Sequence, residues 1–163
     1  MRTGRRFDRV SNDARWAIAA TIAFLGVTVW WLTQDTAVPD SDSGAHAVEA
    51  FNVFEEIAHG HLTTPFTEFS NYPPLARLIG ALGVFVGGRS TASVILALNL
   101  VFVPILAFAC YGVGKRVAGT RAGLLATIFA LGTPMIVSEA HEAYIDPLQA
   151  ALIALSVYLI LAS

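Results

Sequence analysis

Two long runs of uncharged, mostly apolar residues constrain the fold of this chain more than any other feature. The runs cover residues 16–34 and 90–114, which are 19 and 25 residues long. A helix of about 20 such residues crosses a hydrocarbon core of ~30 Å. The chain is 55% hydrophobic and 13% charged, whereas soluble domains are about 25% charged. The sequence therefore predicts an all-helical, polytopic integral membrane protein.

The positive charges indicate which ends of these spans face the cytoplasm. Five arginines precede the first run, and Lys115, Arg116 and Arg121 follow the second run. Basic residues that flank membrane spans stay on the cytoplasmic side. We therefore expect a cytoplasmic arm over residues 1–15 and a cytoplasmic loop over residues 115–121.

The segment over residues 73–88 decides the topology between the two runs. Its charge-free part, between Arg77 and Arg89, is only 11 residues long and contains four glycines. If the basic loop is cytoplasmic, the second run begins outside, and this segment is a surface or re-entrant helix on the outer face. The alternative is a 17-residue span from Tyr72, in which the Arg77 side chain extends to the membrane surface.

Alternation across the membrane sets the remaining boundaries. Residues 122–138 form the third span and residues 147–163 the fourth, so the module has four spans and one or two surface helices. The long loop 35–89 and the short loop 139–146 then share the outer face. Because the last apolar run ends without a polar flank, we expect the chain to be the beginning of a larger bundle.

The long outer loop is acidic and contains an amphipathic segment. Residues 33–72 hold seven of the twelve carboxylates, three of the four histidines and no Lys or Arg. Between Gly44 and Gly60, apolar and polar residues separate onto two helical faces, which predicts a helix on the membrane surface. The expected apolar face is Ala47, Ala50 or Phe51, Phe54 and Ile57 or Ala58, and the expected polar face is Glu49, Asn52, Glu56 and His59.

Two carboxylates stand at helix starts near the membrane surface. Asp42 precedes the amphipathic helix, with His46 one turn later, and Asp146 is followed by Pro147. Both positions suit helix capping, which is the structural interpretation. The functional interpretation is that a carboxylate in a partly desolvated site acts as a general base on a hydroxyl.

The other polar groups of the two loops are potential ligands of a divalent metal, although their spacing matches no diagnostic motif. The sequence has no phosphate-binding loop, dinucleotide-binding loop or serine-hydrolase motif. Its basic arm lacks interleaved aromatic residues, so we expect no nucleic-acid partner. The potential metal ligands are Glu139, His141 and Glu142 in the short loop and His59 and His61 in the long loop.

The order of these motifs resembles the N-terminal part of the GT-C membrane glycosyltransferases, and more closely the dolichyl-phosphate-mannose-protein mannosyltransferase and aminoarabinose transferase family. The resemblance covers nearly the whole chain from Trp16 onward, and its specificity comes from the order of short motifs. The motifs that follow the basic arm and the first span are, in order, Asp42-x-x-x-His46, Tyr72-Pro-Pro-Leu75, a short Lys/Arg loop and Tyr144-Ile-Asp146-Pro147.

This resemblance implies that a sugar is transferred, with inversion, from a polyprenyl-phosphate monosaccharide to a hydroxyl acceptor. The acceptor is a protein, glycan or lipid at the outer face of the bacterial plasma membrane. Asp42 is implied as the base, or Asp40 in the less favoured register, and Asp146 orients the acceptor or a metal. The implied substrate-binding residues are Asp40, His46, Tyr72, Pro73, Pro74, Arg77, Glu142 and Tyr144.

A non-catalytic role is the alternative hypothesis. In it, the chain is part of a transporter or an assembly scaffold, and its outer acidic residues bind cations or cap helices.

Overall fold

A computed structural model describes residues 11–63, 66 and 74–163 of the chain. The described residues contain helices and no strand, which confirms the all-helical fold class. Part of the predicted cytoplasmic arm, together with Tyr72 and Pro73, lies outside the described residues. The helices are α1 (Asn12–Gln34), α2 (Ser41–Ala58), α3 (Pro74–Gly87), α4 (Thr91–Ala118), α5 (Thr120–Leu131), α6 (Pro134–Glu139) and α7 (Asp146–Ala162).

Two of the described helices are long and apolar enough to cross a membrane. They are α1 with 23 residues and α4 with 28 residues, and they correspond to the first two predicted spans. At 1.5 Å per residue they extend about 35 and 42 Å. α3, α5 and α7 are apolar but have only 14, 12 and 17 residues. The count of four spans therefore stays a prediction.

α4 is the centre of the packing, because α1, α3, α5 and α7 all contact it. Its Asn99 is completely buried and donates a hydrogen bond of 2.9 Å from Nδ2 to the carbonyl oxygen of Ala140. This bond attaches the loop before α7 to the middle of the bundle. The buried apolar side chains of α4 include Val94, Ile95, Leu98, Phe102, Val103 and Leu106.

α3 and α4 form a tightly packed hairpin that depends on a glycine. A Cβ atom added at Gly83 would lie 2.3 Å from the carbonyl oxygen of Ser93 in α4. Only a residue without a side chain allows this approach of the two backbones. α3 also packs against α2. The segment predicted as a surface helix over residues 73–88 therefore contains the helix Pro74–Gly87, which contacts both α2 and α4.

The third predicted span differs from the structure. Residues 122–138 are divided between α5 and α6, with Gly132 and Thr133 between the two helices. Pro134 occupies the first turn of α6, where its missing N–H costs nothing, whereas inside a longer helix it would remove a hydrogen bond. The helical part of the predicted span is therefore interrupted, and the span over residues 122–138 stays a prediction.

The basic loop predicted over residues 115–121 is also mostly helical. α4 continues to Ala118 and α5 begins at Thr120, so only Gly119 separates them. Gly119 has a φ of +88°, a left-handed conformation that favours glycine. The reversal between α4 and α5 therefore takes place at a single residue.

α2 confirms the predicted amphipathic helix, but its buried face is rotated from the expected one. Ala47 and Ala50 are buried as predicted, whereas Ile57 is exposed. Ser43 and His46 are buried as well. The reason is that the first turns of α2 contact the loop before α7 as well as α3.

Candidate functional site

The N-terminus of α2 is held by Asp40, which caps the helix. Its Oδ1 accepts hydrogen bonds from the backbone N–H groups of Asp42 at 3.1 Å and Ser43 at 2.8 Å. Oxygen-bearing side chains are favoured at this position because they satisfy free N–H groups of the first turn. The capping role considered for Asp42 was therefore wrong, since Asp40 has this role and Asp42 lies within the first turn of α2.

Asp40 also joins the two outer loops. The hydroxyl of Tyr144 donates a hydrogen bond to the second carboxylate oxygen of Asp40. A second connection lies beside it, where the backbone N–H of Ala143 donates to Ser43 Oγ at 2.9 Å. Ser43 and Ala143 are completely buried. The segments around Asp42 and Asp146, which the sequence predicts to share a site, are thus attached to each other.

The contact between Tyr144 and Asp40 changes the acidity of both groups. The hydrogen bond from Tyr144, followed by that from the Ser43 backbone, holds the pKa of Asp40 below its ordinary value of 3.8. The same hydrogen bond raises the pKa of Tyr144 to about 12, with smaller contributions from burial and from the charges of Asp40, Glu142 and Asp42. A hydrogen bond to the ionised form of an acid stabilises that form. Asp40 is therefore a poor proton acceptor at neutral pH.

Like Asp40, Asp42 is exposed to solvent. Its side chain is 54% exposed, and its Oδ1 lies 3.8 Å from Nε2 of His46. The other ring nitrogen of His46 lies 3.8 Å from Glu49 Oε2. Both distances exceed hydrogen-bonding range. His46 is only 6% exposed, so a buried imidazole stands between a surface carboxylate and a deeper one.

Beneath His46 is a cavity of about 10 Å³ whose lining is mostly apolar but includes the charged side chains of Glu49 and Arg77. That volume holds about one water molecule. Arg77 faces this cavity together with His46 and Glu49, and it is only 5% exposed. The predicted substrate-binding residue Arg77 therefore lies in the interior between α2 and α3. Burying an arginine is tolerated when carboxylates and hydrogen bonds compensate the charge.

Asp146 opens α7 beside another acidic group. The cap position is Ile145 and no side chain caps this helix, so the capping role considered for Asp146 was also wrong. Asp146 is exposed. Burial, followed by the negative charge of Asp146, raises the pKa of Glu139 above its ordinary value of 4.5. Asp146 and Glu139 are thus close enough to interact electrostatically.

His141 and Glu142 face a different side of the short loop. Trp31 of α1 stacks on His141, with ring centroids 4.5 Å apart and an angle of 22° between the planes. Burial lowers the pKa of His141, an effect that the charges of Asp35 and Glu142 oppose. Both residues line an open polar cleft of about 190 Å³ together with Asp35. No pattern in the sequence indicated the contact between Trp31 and His141.

Not all of the predicted polar residues come together. His59 and His61 follow the far end of α2, where they bond to the Glu55 carbonyl oxygen and to Glu56 Oε2 respectively. At 1.5 Å per residue, this end of α2 lies about 25 Å from Asp42. Pro74 is the first residue of α3. Tyr72 and Pro73 have no description in the structure.

A metal centre is not evident in the described part of the chain. Within residues 11–63, 66 and 74–163, no group of three or more His, Cys, Asp or Glu side chains is arranged to hold a metal ion. The histidines and carboxylates considered from the sequence are therefore dispersed among separate contacts in this region.

Comparisons of the chain with protein-family models, with curated proteins and with solved structures give no match. The resemblance to the GT-C glycosyltransferases therefore stays a prediction that depends on the sequence motifs.

Proposed function

We propose that this chain forms the outer-face part of a membrane glycosyltransferase that moves a sugar from a polyprenyl-phosphate to a hydroxyl acceptor. One observation carries the proposal. The Asp40–Tyr144 and Ser43–Ala143 hydrogen bonds join the two acidic segments that the resemblance implies as the site. Asp42 lies in the chain between Asp40 and Ser43, and its side chain is exposed. Such an arrangement supports a shared site for Asp42 and Asp146.

In the proposed reaction, Asp42 accepts the proton of the acceptor hydroxyl. The acceptor oxygen attacks C1 of the sugar from the face opposite the lipid phosphate. The bond between C1 and the phosphate oxygen breaks, and its electron pair leaves with the lipid phosphate, while the proton stays on Asp42. Asp146 orients the acceptor, and a base positioned in this way accelerates such a step about 10²–10⁴-fold.

Asp42 is the better candidate for the base than Asp40. Asp40 is engaged by two backbone N–H groups and by Tyr144, and its lowered pKa weakens it as a proton acceptor. Asp42 has an exposed carboxylate with His46 at 3.8 Å.

The proposed topology has four spans, with the N-terminus in the cytoplasm and the site at the outer face of a bacterial plasma membrane. The ends of α4 and α7 support a parallel course of these two helices. Asn99 in the N-terminal half of α4 bonds to Ala140, which precedes α7, and near the C-termini of α4 and α7 Arg116 Nη1 donates to the Leu161 carbonyl oxygen at 2.9 Å. α7 therefore runs in the same direction as α4.

The experiment that tests this function measures transfer by the protein in its native membrane. Radiolabelled polyprenyl-phosphate mannose is the donor probe, and label incorporated into acceptors of the membrane fraction is the readout. We expect Asp42→Asn to reduce incorporation about 100-fold or more. Glu56→Gln, an acid-to-amide change at the far end of α2, is the control and should retain incorporation.

Two results would contradict the proposal. One is full incorporation by both Asp42→Asn and Asp146→Asn. The other is the absence of donor-dependent incorporation by the wild type with any lipid-linked hexose tested. The non-catalytic alternative is favoured by the capping and tethering role of Asp40, and it predicts that Asp42→Asn behaves like the wild type in every assay.

A further inference from the structure

An apolar groove runs between α1 and α5. Its volume is about 400 Å³. Ala23 and Val27 of α1 form one wall, and Ile128 and Leu131 of α5 form the other. α1 is one of the two described helices that are long and apolar enough to cross a membrane. A groove beside such a helix is open to lipid hydrocarbon when the helix lies in the bilayer.

The groove leads into the polar cleft described above. His141 lines both spaces, and the cleft also contains Asp35 and Glu142. Among the described residues that line the cleft there is no Lys or Arg. Burial lowers the pKa of His141 below its ordinary value of 6.5, which disfavours the protonated imidazole. The cleft therefore carries the negative charge of two carboxylates.

The Trp31–His141 pair marks the boundary between these two environments. Trp31 stacks on His141 and is 41% exposed. Tryptophan is enriched at the level of lipid headgroups. The apolar groove thus lies at hydrocarbon depth and the acidic cleft at headgroup depth. A lipid molecule has its apolar chains and its polar headgroup in the same order.

We propose that the groove and cleft together bind one phospholipid with an ammonium headgroup. Its hydrocarbon chain lies along Ala23 and Val27, and its ammonium group donates hydrogen bonds to Asp35 and Glu142. Such charge-assisted bonds are stronger than neutral ones, and the same carboxylates repel an anionic headgroup. The inference depends on α1 crossing the bilayer, as proposed above, and it is independent of glycosyl transfer.

The test is lipid retention by the full chain. The protein is reconstituted in vesicles of equimolar phosphatidylethanolamine and phosphatidylglycerol, extracted in mild detergent, and its bound lipid is identified by native mass spectrometry. We expect one retained phospholipid, with phosphatidylethanolamine enriched about fivefold over phosphatidylglycerol, which corresponds to about 1 kcal/mol. Retention of phosphatidylglycerol at an equal or higher level would overturn the proposal.

Two variants test the binding of the headgroup and the binding of the hydrocarbon chain separately. Asp35→Asn should abolish the enrichment without loss of the bound lipid, and Ala23→Trp should fill the groove and remove the lipid. Ala19→Trp, at an exposed position one turn away on α1 outside the groove, is the matched control and should retain it. Thermal unfolding of each variant verifies that it is folded. Lipid retention by folded Ala23→Trp would also overturn the proposal, whatever the outcome of the transfer assay.

Discussion

The backbone N–H of Ala143 donates a hydrogen bond of 2.9 Å to Ser43 Oγ, across 100 positions of sequence. Asp40 and Tyr144 form a second bond at the same place. Asp42 lies in the chain between these two anchors, so its position relative to the short outer loop is determined by Asp40 and Ser43. The proposed base therefore depends on two neighbours that contact no substrate in the proposed reaction.

Ser43→Ala should destabilise the protein by about 1–3 kcal/mol, because the buried N–H of Ala143 loses its partner. Thermal unfolding in detergent measures the loss, and hydrogen exchange at the Ala143 amide should become faster. Ser41→Ala, at the exposed first residue of α2, is the control and should leave both quantities unchanged. Equal exchange rates at Ala143 in the wild type and in Ser43→Ala would refute the role of this bond.

The bond between Tyr144 and Asp40 predicts a pH window. Because the pKa of Asp40 is lowered, its contribution to stability is present above its ordinary value of 3.8 and is lost as the pH falls through the folded pKa. The pKa of Tyr144 is raised from 10.0 to about 12, so its contribution is present below pH 10 and is lost as the pH rises through about 12. The bond is therefore intact over the whole range between these limits.

Tyrosinate absorbance tests this window. The difference between the titrations of the wild type and Tyr144→Phe should show a step near pH 12. Asp40→Asn retains a good capping residue but removes the charge, so it should move this step toward 10. A Tyr144 step that stays near pH 12 in Asp40→Asn would mean that the carboxylate is not the cause.

Helix existence could be predicted from the sequence more readily than helix ends and contacts. The uncharged run 16–34 lies within α1, and the run 90–114 lies within α4 except for its N-cap residue Ser90, because a long apolar run has few alternatives to a helix. The boundary at Gly119 was missed because the charge pattern of residues 115–121 indicates membrane side and does not indicate local conformation. The break before Pro134 had a signal in the sequence, since Gly-x-Pro interrupts helices.

The sequence predicted which acidic residues belong to the candidate site, but it did not predict which of them caps the helix and which is free of that role. Asp40 and Asp42 are both acids at a helix start, and only the backbone geometry assigns the cap to Asp40. The partners of Ser43 and Asp40 lie about one hundred positions away. Local patterns contain no information about such contacts, which arise from the packing of α7 and its preceding loop against α2.

The raised pKa of Glu139 predicts that its contribution to folding stability depends on pH in the opposite sense to that of Asp40. Its pKa is raised above 4.5 by burial and then by Asp146, so its contribution to stability is present below pH 4.5 and is lost as the pH rises through the folded pKa. Glu139→Gln should therefore raise the unfolding temperature at pH 7 and leave it nearly unchanged at pH 4. Asp146→Asn removes the negative charge that is the smaller cause of the raised pKa of Glu139. It should therefore raise the unfolding temperature at pH 7 by less than Glu139→Gln does. A gain from Glu139→Gln that is the same at both pH values would contradict this explanation.

The close packing of α3 on α4 predicts that even one added methyl group at Gly83 destabilises the protein. Gly83→Ala places a Cβ 2.3 Å from the Ser93 carbonyl oxygen, and overpacking of this kind costs about 1–3 kcal/mol. Gly26→Ala is the matched control, since nothing lies within 4 Å of its added Cβ and alanine favours the helix. Thermal unfolding should show a loss for the first variant and none for the second. Equal stability of the two would show that the backbones separate easily.

The membrane topology predicts which residues react from outside an intact cell. α4 extends about 42 Å and ends with Lys115 and Arg116, so its two ends should lie on opposite sides of the bilayer, with the basic end inside. In a Cys110→Ala background, cysteines at exposed Val38 and Ala92 should react with a membrane-impermeant maleimide. A cysteine at Val117, which is 75% exposed, should react only after the cells are permeabilised. Reaction at position 117 alone would reverse the orientation, and equal reaction at positions 92 and 117 would mean that α4 does not cross the membrane.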